Sequence, residues 1–388
     1  MVTLRFPSEC SPFMETVALL YVQGFGEFGR LLHPIPVDVD ATVYFVDNRD
    51  TPPNITLERP DPSASNVILL DKGCDHPDWY LDPPIWRGVI NHIFHETAHD
   101  ATMKLFGDDF PEWIEEGAAT YVAHRVSTFL DPERVQFPSA LEQFVAMPEG
   151  QLALEFRPVK NETRRPSQGF RLIHRYERAL GAYLAAERLS LDLFEQLIAY
   201  GADSELTDPS TLTRSFDELH SGAQALRSSL VSEAMAELQT SGNAREIALS
   251  KLAWLDECPI DVSAPSFVAS QCEQQGDVPA IYVGTCLPRN DVEAAIRALM
   301  QCGQDLKFDA FLLVDAYAHR FPQESPAILI ELLEAEIPWL AAWSYTELKA
   351  VSGKSFKFDA YGSEKNKQKS IKRWRRWLES RAPASPSS

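Results

Sequence analysis

Residues 92–122, HIFHETAHDATMKLFGDDFPEWIEEGAATYV, decide the fold of the middle of the chain, because they hold two helical patterns separated by a short break. Gly107 is typical of a helix end, and Pro111 is typical of a first helical turn. Asp82 followed by Pro83 marks the start of the first pattern in the same way. We therefore predict one helix near 84–105 and a second near 111–129.

The first helix carries a metal-ligand pattern on its polar side. Successive helical residues advance by about 100°, which places one apolar stripe on Ile90, Phe94, Thr97, Ala98, Ala101 and Leu105. His95 and His99 lie near the opposite side, with Cβ atoms about 5–6 Å apart, so both imidazoles can reach one ion. Glu96 completes the HExxH spacing and is placed to act as a base on water. His92 falls on the flank, where we predict a supporting or structural role.

The third ligand has to come from another segment, because an open zinc site usually takes three protein groups. The second helix packs through a stripe formed by Ile114, Ala118, Tyr121, Val122 and Arg125. Glu116 lies on the far side with Ala119 and Ala123, whose small side chains allow the two helices to approach closely. We predict Glu116 as the third ligand and keep Glu115, at the edge of the stripe, as the alternative. Weaker alternatives are Asp100, Asp108 and Asp109.

These two motifs carry a family resemblance. HETAH (95–99) followed by WIEEGAATY (113–121) resembles the HExxH and W-[IL]-x-E-G-x-A-x-Y pair of gluzincin metallopeptidases, in particular the peptidase-MA-like group. The resemblance implies a Zn²⁺ cofactor and hydrolysis of peptide bonds in a protein or peptide substrate. It also implies that Glu96 activates a zinc-bound water and that the glutamate before the glycine, Glu116, is a ligand. No GxMEN-like exopeptidase anchor is present, which favours an endopeptidase.

The resemblance continues into residues 169–201, which are similar to the helix that follows the metal site in this family. Members often carry a tyrosine just ahead of that helix, where it stabilises the oxyanion. Here the corresponding residues, 166–169, read PSQG. Loss of such a donor costs about 3–4 kcal/mol in other hydrolases. Four residues stay open as its replacement: Tyr176, His174, Tyr121 and Tyr183.

The predicted fold class is α+β and mostly helical, with a small N-terminal β-sheet over a zincin-type active-site helix. ATVYFV (41–46) and NVILL (66–70) are the strand candidates. A helical C-terminal domain follows. The predicted domains are 1–82 as the N-terminal α/β part of the peptidase, 83–245 as its helical zinc-binding part, 246–380 as the C-terminal domain and 381–388 as a disordered tail.

The C-terminal region is similar to the closing helices of bacterial HEAT-like repeat proteins, through Ser352-Gly353, Phe356, Phe358-Asp359, Trp374 and Trp377. No clean repeat period is present, so a HEAT-like solenoid and a plain helical domain both stay open. Either one is a surface through which a protein partner can bind. Residues 351–388 hold ten Lys or Arg against three acidic residues. We interpret these residues as forming a basic terminal helix that packs against the acidic body of its own chain.

Composition and net charge narrow the classes of function and location that remain. The chain is 45% hydrophobic and 24% charged, as expected for a soluble globular protein, and its net charge of −20 makes nucleic-acid binding unlikely. The N-terminus has no signal-peptide pattern and no segment has the length of a membrane span, which predicts a cytoplasmic protein without membrane contact. Six cysteines without a CxxC pair predict buried thiols rather than disulfides.

Two functions therefore remain. The first is a zinc-dependent peptidase whose C-terminal half positions protein substrates. The second is a catalytically weak or inactive zincin-fold helical scaffold or binding protein.

Overall fold

The computed structural model of the protein describes fourteen segments of the chain. They are 2–5, 11–34, 41–47, 66–70, 86–106, 112–132, 137–147, 169–191, 193–202, 209–273, 278–302, 307–335, 338–360 and 362–381. Within them, two compact units are present. The first is formed by Met1–Thr163 with Arg175–Leu226, and the second by Arg164–His174 with Arg227–Ser388. The main division falls between Leu226 and Arg227, inside one continuous helix. The predicted domains 1–82, 83–245 and 246–380 stay a prediction. Of the predicted disordered tail, 381–388, residues 382–388 lie outside the described residues, and Arg381 lies in a turn.

Three short strands belong to the first unit: β1 (Val2–Arg5), β2 (Ala41–Asp47) and β3 (Asn66–Leu70). They pair in parallel in the order β1-β2-β3, with Leu4 opposite Val43 and Tyr44 opposite Val67. The strands have only 4, 7 and 5 residues. The strands predicted at 41–46 and 66–70 are present, but most of the described chain is helical, so the predicted α+β class is wrong. The predicted arrangement of a small N-terminal sheet over the active-site helix is wrong as well, because a helix of the first unit, Ser11–Leu32, packs on that helix and shares its core.

The other elements that the structure describes in the first unit are helices. They are α1 (Ser11–Leu32), α2 (Trp86–Phe106), α3 (Glu112–Leu130), α4 (Ala140–Val145), α5 (Gly169–Leu189), α6 (Leu193–Ala202) and α7 (Pro209–Glu237). The starts of α5 and the end of α7 belong to the second unit. Helix α7 runs without a break through Gly222, whose Cβ position lies 2.8 Å from Leu189 Cδ1.

The helix that covers α2 and α3 is α1, which sequence reasoning missed. Its buried residues recur every three or four residues, as in any helix that packs on one side: Val17, Tyr21, Gly24, Phe28 and Leu32. The pattern was obscured by three glycines, which are poor helix formers. One of them, Gly24, is required by packing, because a Cβ there would lie 2.7 Å from the ring of Phe94. The Tyr21 ring stacks on that same ring at 4.9 Å.

The second unit is built from helices only, within the described residues. After the last part of α7 come α8 (Asn243–Trp254), α9 (Ala264–Cys272), α10 (Ala280–Cys286), α11 (Arg289–Gln301), α12 (Lys307–Arg320), α13 (Ser325–Leu332), α14 (Pro338–Ser352) and α15 (Glu364–Glu379). One large apolar core joins α9 to α15. The short helices α9 and α10 lie where no helix is predicted from the sequence.

The basic helix α15 packs through Ile371 and Trp374, which are buried. Arg375 forms an ion pair with Glu334 at 2.7 Å, within the same unit. Along the described residues, no helix combines the length and the apolar character needed to cross a membrane.

The prediction of buried thiols is wrong for the second unit. Cys258 and Cys286 form a disulfide bond, and Cys272 is exposed. The error arose because the four cysteines lie far apart in sequence, and only the packing of the helices shows which of them meet. Cys10 and Cys74 lie outside the described residues.

Candidate metal centre

Helices α2 and α3 bring three side chains to one point. His95 Nε2 and His99 Nε2 are 3.0 Å apart. One carboxylate oxygen of Glu116, Oε2, lies 3.1 Å from His99 Nε2 and 3.3 Å from His95 Nε2. The closely packed α2–α3 pair makes this approach possible, because Ala119 and Ala123 are buried on the α3 face that joins the core shared with α2.

The donor set fits a divalent metal ion. The three ligand atoms lie within 4.8 Å of one another, which leaves one ion able to contact all of them after small side-chain movements. Two imidazoles and one carboxylate are a common ligand set of catalytic zinc sites, although imidazoles also bind other transition metals. The His95, His99 and Glu116 side chains keep 14%, 13% and 21% of their surface exposed. Solvent or a substrate can therefore reach the cluster.

Thr120 holds His95 in the orientation that ligation needs. Its hydroxyl donates a hydrogen bond to the Glu116 carbonyl oxygen at 2.7 Å and lies 3.3 Å from His95 Nδ1. Because that proton is already used, the hydroxyl can only accept from His95, which puts the imidazole proton on Nδ1 and leaves the Nε2 lone pair facing the other ligands. Sequence reasoning missed Thr120, although its position one helical turn after Glu116 was a usable signal.

Glu115 and Glu116 occupy different sides of His99. Glu115 Oε1 lies 3.4 Å from His99 Nδ1, whereas Glu116 Oε2 faces Nε2. Glu115, the alternative third ligand, therefore faces the ring nitrogen of His99 that points away from Glu116. Of the weaker alternatives, the Asp100 side chain, Asp108 and Asp109 lie outside the described residues.

The electrostatics of the metal-free cluster follow from this geometry. Burial opposes the charged imidazole of His99, but the carboxylates of Glu115 and Glu116, which accept hydrogen bonds and carry negative charge, outweigh it and raise its pKa to about 10. Burial likewise opposes the charged Glu116 carboxylate, but the imidazoles beside it, with His99 Nε2–H as the donor, outweigh it and lower its pKa to about 2. Without a metal, the cluster at neutral pH is a His99–Glu116 ion pair.

This ion pair makes metal binding depend on pH. A metal must displace the proton of His99, which is present below a pKa of about 10. We expect apparent zinc affinity to fall about tenfold for each unit that the pH is lowered from 9 to 7, with about one proton released per zinc bound. Competition with a chromogenic chelator at each pH measures the affinity. A flat affinity over this range would show that His99 loses no proton.

Replacing Thr120 by valine keeps the side-chain shape and removes its hydroxyl. Because His95 loses the group that orients it, we expect zinc affinity to fall about 10–100-fold. Thr128→Val is the matched control, since its hydroxyl also donates to the carbonyl four residues earlier, on the same helix, at 2.9 Å. Both variants are measured by the same chelator competition. Equal zinc affinities for the two variants would show that the Thr120 hydroxyl does not support metal binding.

Glu96 follows His95 on α2, and 31% of its side chain is exposed. Its Oε1 atom lies 3.8 Å from His92 Nε2. The predicted supporting position of His92 is therefore beside the candidate base, and its ring also stacks against that of His95 at a centroid distance of 6.5 Å.

The structure separates the candidates for the missing oxyanion donor. The hydroxyl of Tyr183 is buried and donates to the Ile114 carbonyl oxygen at 3.0 Å, and that of Tyr121 donates to Glu187. Burial raises the pKa of both tyrosines. Tyr176 instead lies against the metal cluster, with its ring centroid 5.8 Å from that of His95. The His174 side chain and residues 166–168 lie outside the described residues.

Gly117, next to Glu116, allows α3 to pack on α5. A Cβ at this position would lie 2.7 Å from Tyr183 Cε2 and 3.2 Å from Ala179 Cβ. We expect Gly117→Ala to lower the free energy of unfolding by about 1–3 kcal/mol through overpacking. Gly26→Ala is the control, because nothing lies within 4 Å of its Cβ position in α1, and it should stabilise by about 0.5–1 kcal/mol. Denaturant unfolding measures both, and a Gly117→Ala variant as stable as the control contradicts the packing account.

Comparison of the chain with protein-family models, with curated proteins and with solved structures finds no match. Function has to be inferred from the geometry of the cluster itself.

Proposed function

We propose that the protein is a zinc-dependent metallopeptidase. The observation that carries the proposal is the convergence of His95 Nε2, His99 Nε2 and Glu116 Oε2 within 4.8 Å of one another, with a glutamate, Glu96, next to the first histidine. Metal ligands alone fit a structural site equally well. An adjacent, partly exposed carboxylate outside the ligand set is what a hydrolytic site adds.

His95, His99 and Glu116 hold the ion in this proposal, and Thr120 and Glu115 orient the two histidines. Bound zinc lowers the pKa of water and polarises a carbonyl group. Glu96 accepts a proton from the attacking water and passes it to the amine that leaves. Tyr176 is the residue we assign to stabilising the oxyanion, because its ring lies beside that of His95 at the cluster. Our preferred substrate is a protein or peptide chain, and our preferred activity is that of an endopeptidase.

A second function has its own support. The opposite pKa shifts of His99 and Glu116 mean that the cluster satisfies its charges as an ion pair without any metal. A helical scaffold or binding protein that keeps this pair for structural reasons is therefore the competing proposal. It predicts neither chelator-sensitive cleavage nor stoichiometric metal.

A peptide-library digest distinguishes the two. The full chain is incubated at pH 8 with a proteome-derived peptide library, with added zinc in one arm and with a zinc chelator in the other, and new peptide termini are identified by mass spectrometry. The peptidase proposal expects new termini in the zinc arm only, with an alignable residue preference around the cut. Identical termini in both arms, or none, would favour the scaffold.

A further inference from the structure

Four cysteines of the second unit meet in two pairs. Cys258 and Cys286 are joined by a disulfide bond across 28 residues of sequence. Cys272 and Cys302, 30 residues apart, are thiols whose sulfur atoms lie 2.7 Å apart. This distance exceeds the covalent length of about 2.05 Å, yet it is closer than two unbonded sulfur atoms normally approach. The second pair therefore has the placement of a bond that has not been closed.

The packing of two helices places this second pair. Cys272 is the last residue of α9, and Cys302 caps the C-terminus of α11. Both helices are anchored in the same core, through Phe267 of α9 and through Ile296 and Leu299 of α11. Because the core fixes both helix ends, the sulfur atoms are held together by the fold and do not depend on a chance meeting of loops.

Accessibility distinguishes this pair as a site of reaction. Cys272 is exposed and Cys302 is half-buried. A small molecule can therefore reach the sulfur of Cys272, and the sulfur of Cys302 lies next to it. An exposed attacking thiol with a resolving thiol next to it is the arrangement on which thiol–disulfide exchange depends.

We propose that Cys272 and Cys302 form a redox-active dithiol that closes to a second disulfide by exchange with a small-molecule disulfide such as oxidised glutathione. The Cys272 thiolate attacks one sulfur of that disulfide, and one thiol leaves. The Cys302 thiolate then attacks Cys272 Sγ in the mixed disulfide, and the second thiol leaves. The two electrons and two protons of the dithiol end on the two small thiols, so no other oxidant is needed.

When the second disulfide is closed, the cysteines of the two disulfides of the second unit alternate along the sequence. Cys258 pairs with Cys286, and Cys272, between them in sequence, pairs with Cys302 beyond them. The first bond then joins the segment between α8 and α9 to α10, and the second joins α9 to the C-terminal end of α11. Since disulfides persist mainly in oxidising compartments, a chain that carries one or both bonds fits such a compartment better than the predicted cytoplasm. This inference is independent of the proposed peptidase activity.

The test uses the full chain in buffers that range from reduced to oxidised glutathione. Samples are quenched in acid, alkylated, digested and mapped by mass spectrometry. We expect a peptide linking Cys272 to Cys302 to appear as the buffer becomes oxidising and to disappear on reduction. Closing the bond between Cys272 and Cys302 should raise the melting temperature of the protein by about 5–10 °C, as expected for a disulfide that closes a loop of this length.

Cys302→Ser is the matched variant, because it keeps Cys272 and removes only the resolving thiol. We expect it to accumulate the Cys272–glutathione mixed disulfide at least about tenfold more than the wild-type chain, in which the neighbouring thiol resolves it. The proposal is overturned if wild-type Cys272 and Cys302 stay alkylated without a linking peptide in oxidised buffer. It is equally overturned if each carries its own glutathione, or if either links to Cys258 or Cys286 instead.

Discussion

Glu96→Gln is expected to lower kcat for peptide cleavage by about 10²–10⁴-fold, the usual contribution of a general base. Glutamine keeps the size of the side chain but cannot accept the proton of the attacking water. Because Glu96 lies outside the group formed by His95, His99 and Glu116, the variant should still bind about one zinc per chain. Cleavage of a peptide from the library digest and zinc content are measured on the same preparation.

A matched control is Glu218→Gln, which removes one negative charge from an exposed position on α7 of the same unit. It should keep full activity. A Glu96→Gln variant that cleaves as fast as this control shows that Glu96 is not the base. If the Glu96→Gln variant loses bound zinc as well as cleavage, Glu96 contributes to zinc binding instead of acting as the base.

Glu116→Gln is expected to weaken zinc binding by at least about 100-fold, more than the 10–100-fold typical of a supporting residue. It exchanges the carboxylate for a neutral amide at the atom that lies 3.1 Å from His99 Nε2. Glu115→Gln makes the same chemical change one residue earlier, where the carboxylate faces His99 Nδ1 at 3.4 Å. It should weaken zinc binding only by about 10–100-fold.

The comparison of these two variants decides which glutamate is the ligand. Zinc affinity is measured for both by competition with a chelator at one pH, and circular dichroism checks that each is folded. A larger loss for Glu115→Gln than for Glu116→Gln would exchange their roles. Equal affinities for both variants and the wild-type chain would mean that zinc binds elsewhere.

The sequence alone was sufficient to predict that His95, His99 and Glu116 meet, because the information that brings them together is local. A 3.6-residue period fixes which side of α2 carries His95 and His99, and the same period on α3 favours Glu116 over Glu115. The described part of the predicted apolar stripe on α2, from Ile90 to Ala101, is buried as expected. The convergence of two neighbouring helices required only a short connection between them.

Features that depend on tertiary contacts could not be predicted. Glycines that weaken helix propensity hid α1, and the reason for Gly24 becomes visible only when Phe94 lies against it. The assignment of an α+β class gave too much weight to short β-type runs in a chain that packs mainly as helices. The pairing of Cys258 with Cys286 depends on the fold, since four cysteines allow three pairings.

The most direct measurement of the metal centre is anomalous diffraction from crystals of the zinc-loaded protein, collected on both sides of the zinc absorption edge. The account predicts one strong peak at about 2.0–2.2 Å from His95 Nε2, His99 Nε2 and a carboxylate oxygen of Glu116. Fully zinc-loaded crystals that show no peak at these three atoms, or a peak bound only by other residues, would contradict it.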